Sequence, residues 1–134
     1  MNSITRCREQ LRQGFRAELM TTSEQKNEAK IPGQEIAELF RRALRGEVKI
    51  FTVGASWTDI HASNVEVRID GYKLVIFNDC NQVDYVDHAI APDGREADFD
   101  DWWFVNNEPV DLLTDDEQTR LETLMEEAPV VAEN

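Results

Sequence analysis

At 134 residues, with 41% hydrophobic and 31% charged residues, the chain fits one globular domain, too apolar for disorder and with no apolar run of membrane-spanning length. Its formal net charge of −13 repels nucleic acid and acidic lipid, which excludes direct nucleic-acid binding and polybasic membrane association while permitting a basic protein partner. The acidity is uneven: residues 1–50 hold 10 Lys and Arg against 7 Asp and Glu, a balance of +3, and residues 51–134 hold 4 against 20, a balance of −16.

The N-terminal run MNSITRCREQLRQGF lacks an apolar stretch followed by small residues, so it does not read as a secretory signal. Cys7 and Cys80, 73 positions apart, make no disulfide framework. The expected address is the cytoplasm. Ile4, Cys7, Leu11, Phe15 and Leu19 recur every three or four residues and predict a first helix. That helix is weak alone. Arg6 and Arg8 sit at the positive end of its dipole, Arg12 and Arg16 repel across one turn, and Gly14 costs about 1 kcal/mol against Ala. It is expected to dock on acidic surface, of its own chain or of a second copy in a homodimer. Residues 21–30 read as a polar linker, so residues 1–30 form an N-terminal extension, 31–128 one domain and 129–134 a tail.

IPGQEIAELFRRALRG predicts a second helix, with Pro32 in the first turn, Glu35 and Glu38 early, Arg41, Arg42 and Arg45 late, and Gly46 as a left-handed stop. The hydrophobic period then changes to two. EVKIFTV (47–53), VEVRI (65–69), YKLVIF (72–77) and VDYVDHAI (83–90) predict four strands, the middle pair joined by an Asp70-Gly71 hairpin turn. NDCNQ and APDG supply the next turns. Residues 95–113 read as irregular, acidic and aromatic. Thr114 and Glu117 then form a capping box for a last helix with Leu121, Leu124, Met125 and Ala128 on one face and Pro129 beyond it. The predicted fold class is α+β: a four-stranded antiparallel meander with two N-terminal helices and one C-terminal helix, the helices covering one sheet face.

Two stretches hold chemistry-bearing residues. FNDCNQVDYVDH (77–88) combines Asp79, Cys80, Asp84 and His88. Regular alternation would put Asp84, Val86, His88 and Ile90 on one face and Val83, Tyr85, Asp87 and Ala89 on the other, with Asp84 and His88 about 7 Å apart. Asp79 and Cys80 could complete a divalent-metal site, although no C-x-x-C or H-E-x-x-H spacing is present. Each residue also has an ordinary role: turn carboxylates cap local N–H groups and free cysteines pack as small hydrophobes. DFDDWWFVNNEP (98–109) sets Asp98, Asp100 and Asp101 beside Trp102 and Trp103. In an extended segment the consecutive aromatics cannot all point inward, so one tryptophan is expected to be partly exposed, ringed by carboxylates as a partner-binding surface.

The run DGYKLVIFNDCNQVDYVDHAIAPDGREADF, with the helix EIAELFRRALRG before it and EPVDLL after it, resembles a small bacterial domain family of unknown function. The resemblance rests on Phe77, Asn78, Asp79, Cys80, Asp84, Tyr85, Pro92, Asp93 and Gly94 and covers about residues 31–128. It implies a domain boundary and no activity. The expected function is a non-catalytic acidic protein-interaction module of the immunity, inhibitor or adaptor type, with carboxylates steering a basic partner and no cofactor. The rival is a small ligand- or metal-binding regulator, or a minor enzyme, built on Asp79, Cys80, Asp84 and His88.

Overall fold

A computed structural model describes residues 30–132. The predicted first helix, most of the linker and the last two residues of the tail lie outside the described residues. Helix α1 (Gly33–Leu44) leads into β1 (Ile50–Val53), a 3-10 turn (Trp57–Asp59) and the strands β2 (Ala62–Ile69), β3 (Tyr72–Asp79), β4 (Gln82–Ile90) and β5 (Glu96–Asp98). Helix α2 (Phe99–Trp103), a second 3-10 turn (Pro109–Leu112), helix α3 (Asp115–Glu127) and β6 (Val130–Val131) complete the chain. No described helix is long and apolar enough to cross a membrane.

The class is α+β, and the sheet is larger than the sequence suggests. It has six strands in the order β5-β4-β3-β2-β1-β6, and it is mixed because β6 runs parallel to β1 while the other pairs are antiparallel. The two added strands span three and two residues, too short for a hydrophobic period. Main-chain bonding places them: the Thr52 N–H donates to Pro129 O at 3.0 Å and the Gly54 N–H to Val131 O at 2.9 Å. The first strand is shorter than expected, because the Glu47 N–H donates to Arg42 O at 2.9 Å and keeps the chain closing α1.

Both central hairpins have two-residue turns. Asp70 and Gly71 take φ of 49° and 83°, and Cys80 and Asn81 take 55° and 74°; left-handed conformations at both central positions match the right-handed twist of the flanking strands. β3 therefore runs two residues past its predicted end.

The core lies between the sheet and the helices. Ile36, Leu39 and Phe40 of α1 and Leu121 and Met125 of α3 pack with Val67, Ile69, Leu74 and Ile76 of the sheet, with Trp57 fully buried among them. Capping holds α3 as predicted: Thr114 Oγ1 accepts from the Glu117 N–H at 3.1 Å and Glu117 Oε1 from the Thr114 N–H at 2.9 Å. Arg41 ties α1 to that end, donating to Glu117 Oε2 at 3.1 Å and to Leu112 O at 2.9 Å.

Candidate functional site

The strand carrying the predicted cluster does not alternate regularly. Its pairing with β3 shifts register twice, so that Leu74, Ile76 and Asn78 face Ala89, Val86 and Val83, while Val75 and Phe77 face His88 and Tyr85. Asp84 and Asp87 are the extra residues of two bulges. The predicted faces are corrected accordingly. Val83, Val86 and Ala89 all turn to the core, and Tyr85 and His88 to the opposite face. Carboxylates take up main-chain donors of this irregular strand: Glu108 Oε2 accepts from the Val86 N–H at 2.7 Å and Glu122 Oε2 from the Val83 N–H at 3.1 Å. Burial raises the Glu122 carboxyl above the usual range, and the Val83 N–H opposes that rise.

Regular alternation therefore no longer places Asp84 and His88 on one face. Asp84 is buried, at 3% exposure, within a bulge; His88 stands half-exposed with Nε2 3.7 Å from Glu96 Oε1; Cys80 is an exposed free thiol at the hairpin tip. Among the described residues no three His, Cys, Asp or Glu side chains group as a metal site. What organises the F-N-D-C turn is Asn78. Fully buried, it donates from Nδ2 to Trp57 O at 2.9 Å and accepts the Asn81 N–H on Oδ1 at 2.7 Å. Trp57 Nε1 donates to Asn81 O at 3.0 Å. These three bonds pin the left-handed Cys80-Asn81 turn to the Trp57–Asp59 segment.

The acidic aromatic stretch is helical at its centre. Asp98 and Asp101 form a reciprocal capping box at the start of α2: Asp98 Oδ1 accepts from the Asp101 N–H at 3.3 Å, and Asp101 Oδ2 from the Asp98 N–H at 3.0 Å. Lys30 Nζ also reaches Asp101 Oδ2, at 3.0 Å. Desolvation, followed by the charge of Asp101, raises the Asp98 carboxyl. The expectation of a partly exposed tryptophan is corrected, since Trp102 and Trp103 are 2% and 0% exposed. A helical turn sends consecutive side chains about 100° apart, so Trp102 enters the core, donating from Nε1 to Ile31 O at 2.7 Å, while Trp103 stacks on Phe99 outside that core. Asp100, between the caps, is half-buried.

A third cluster escaped sequence reading. Arg95 grips Glu35 with both terminal nitrogens, Nη1 to Oε1 at 2.9 Å and Nη2 to Oε2 at 2.7 Å, and its Nε donates to Asp93 Oδ2 at 2.9 Å. The Tyr72 hydroxyl donates to Glu35 Oε2. Arg95 holds the Glu35 carboxyl below its ordinary value, whereas desolvation and then Glu35 push the Tyr72 phenol up to about 12. A phenol so raised stays protonated and a carboxylate so lowered stays ionised near neutrality, so neither suits proton transfer there. The cluster works as a clasp joining α1, the start of β3 and the 91–95 turn. Nothing in local spacing brings Glu35, Tyr72 and Arg95 together.

A family model described as a domain of unknown function, DUF7693, matches residues 30–127. No curated protein and no solved structure matches the chain. The match spans the whole described fold except β6 and its flanking residues, and the chain belongs to the DUF7693 family of domains of unknown function.

Proposed function

We propose that this domain is a non-catalytic, acidic protein-interaction module, of the kind used by immunity, inhibitor or adaptor proteins, that engages a basic partner in the cytoplasm. The observation that carries this reading is the disposition of charge. Lys30, Arg41, Arg42, Arg45, Arg68, Arg95 and Arg120 all lie in ion pairs within the domain. Carboxylates outnumber them, and Asp115, Glu126 and Glu127 of α3 stand exposed at the surface. Surface pairs of this kind contribute little to stability, with a median of about 0–1 kcal/mol. Unneutralised carboxylates instead set up a long-range negative potential that speeds encounter with a cationic surface. Asp98 and Asp100 stand nearby on the surface side of α2, where Asp101 is paired with Lys30, and Trp102 and Trp103 support the reading only by holding that helix in place. The exposed Cys80 thiol suits a reducing compartment.

The test is capture from native lysate by the full chain, compared with a D115K/E126K/E127K variant, at low and high salt. The expected result is a basic protein retained at low salt, released at high salt and lost by the variant. Retention indifferent to both salt and charge reversal refutes the reading, and so does a stoichiometric metal in untagged protein.

A further inference from the structure

We propose that the uncovered edge of β2, at Ala62, Ser63 and Asn64, is where an extended, lysine- or arginine-bearing segment of a partner protein pairs with this domain as an additional strand. The inference rests on the interaction-module reading for the partner's charge and adds the manner of its binding.

A sheet edge offers a row of main-chain N–H and C=O groups to any extended chain, and folds usually blunt such edges. Elsewhere this sheet follows the rule. The outer strands β5 and β6 span only three and two residues, and where β4 runs past β5 the Glu108 and Glu122 carboxylates take up the N–H groups of Val86 and Val83 at 2.7 and 3.1 Å. β2 is different. β3 pairs with it from Ala62 to Ile69, whereas β1 pairs with it only at Val67, Arg68 and Ile69. The two-residue Asp70-Gly71 turn makes Ile69 and Tyr72 a hydrogen-bonded pair, and such pairs then alternate along β2 through Val67, Val65 and Ser63. The N–H and C=O groups of Ala62 and Asn64 therefore point away from β3, into the lane that β1 has left. No main-chain group of the described residues outside the sheet bonds to them. Ala62, Ser63 and Asn64 are exposed, and they include neither proline nor charge, the usual guards of an edge.

The connection from β1 to β2 leaves that lane clear. Gly54 turns the backbone at φ 85°, and Trp57 is carried to the core side of the sheet, where its O accepts from Nδ2 of buried Asn78 at 2.9 Å. At the other end the Cys80 N–H donates to His61 O at 2.7 Å, so β2 is held extended up to its first residue. Groups in such a row accept only an extended chain, and their surroundings set its charge. Asp79 lies opposite Ala62 in the β2–β3 pairing, and exposed Asp59 stands just before β2. Glu127 ends α3 shortly before Val130, which pairs beside Thr52, so the exposed carboxylates of Glu126 and Glu127 approach the β1 end of the lane. The cations of the hairpin lie toward its opposite end: Arg68 is paired with Glu66 at 3.3 Å, and Lys73 sits across from Arg68. A cationic peptide is drawn to this edge. A second copy of the domain would bring like charge to it.

The experiment is amide hydrogen exchange by NMR on the full chain, with mass in solution by light scattering, in the presence of three synthetic ten-residue peptides. One alternates lysine and threonine, the second is the same peptide N-methylated at successive central residues so that neither of its edges can donate, and the third carries glutamate for lysine. The expected result is that the first peptide slows exchange of the Ala62 and Asn64 amides several-fold, while the other two leave it unchanged. Asn64→Pro removes one N–H on the side away from β3 and should weaken binding of the first peptide about tenfold, the loss of one hydrogen bond. The peptide comparison uses the wild-type fold, so it decides the matter even where the variant does not fold. No binding of the lysine peptide overturns the proposal. So does salt-sensitive binding that leaves both amides unprotected or survives N-methylation, and that result leaves the interaction-module reading standing. Equal protection by the glutamate peptide overturns the cationic occupant and that reading with it. Protection without any peptide, in a particle of twice the mass, overturns the proposal in favour of a second copy.

Discussion

Replacing Gly33 with Ala sets two physical effects of opposite sign against each other. Gly33 opens α1, and on helix propensity alone Ala would stabilise the protein by at most about 1 kcal/mol. A Cβ at this position would lie 1.7 Å from Asn107 O and 2.8 Å from Asn107 C, both main-chain atoms. Relief requires the start of α1 to move more than 1 Å from the segment after α2, roughly the shortfall from van der Waals contact. That segment is tied down: Trp102 Nε1 to Ile31 O is 2.7 Å, the Asn107 N–H to Trp102 O 2.8 Å, and Lys30 Nζ to Asp101 Oδ2 3.0 Å. Overpacking of this kind costs about 1–3 kcal/mol, and disturbing the buried indole hydrogen bond adds about 1 kcal/mol. The steric effect wins, with an expected net loss of about 1–3 kcal/mol. For a domain near 100 residues that lowers Tm by roughly 4–12 °C. Thermal unfolding followed by circular dichroism measures it, with Glu38→Ala, on the exposed side of the same helix, as a control expected within about 0.5 kcal/mol of wild type. A Gly33→Ala protein as stable as wild type, or more so, refutes the close approach of α1 to Asn107.

Asn78→Ala removes the donor to Trp57 O and the acceptor of the Asn81 N–H, so urea unfolding should show a loss of about 1–3 kcal/mol; unchanged stability would mean that the F-N-D-C turn is held by something else. Glu35→Gln should bring the Tyr72 phenol down from about 12 toward the ordinary value near 10, read by phenolate absorbance with Tyr85→Phe as background. The same variant tests the pH dependence of stability. Arg95 lowers the Glu35 carboxyl, so its stabilisation is present above the unfolded-state value and lost as pH falls through the folded one; wild type should lose more stability than Glu35→Gln on acidification. Tyr72 acts in the other direction, its stabilisation present below about 10 and lost as pH rises through about 12. Matching acid and alkaline curves for the two proteins would show that the clasp contributes nothing.

Local chemistry was legible wherever one residue's conformation or one short-range bond decides the outcome. The period of Ile36, Leu39, Phe40 and Ala43 marks α1, Asp70-Gly71 marks a hairpin because both residues accept positive φ, and Thr114 with Glu117 marks the start of α3. The sequence by itself therefore determined the α+β class and the sign and asymmetry of the charge. Only the tertiary structure decided the faces of β4, since a bulge inserts one residue and reverses every side chain after it, and no composition records the event at Asp84 or Asp87. The same holds for β5 and β6, which exist through main-chain pairing alone. It holds too for the burial of both tryptophans and for the clasp of Glu35, Tyr72 and Arg95, whose members are 37 and 60 residues from Glu35. Packing between distant segments, which no local pattern encodes, selects which carboxylates and aromatics are spent on the fold and which remain at the surface.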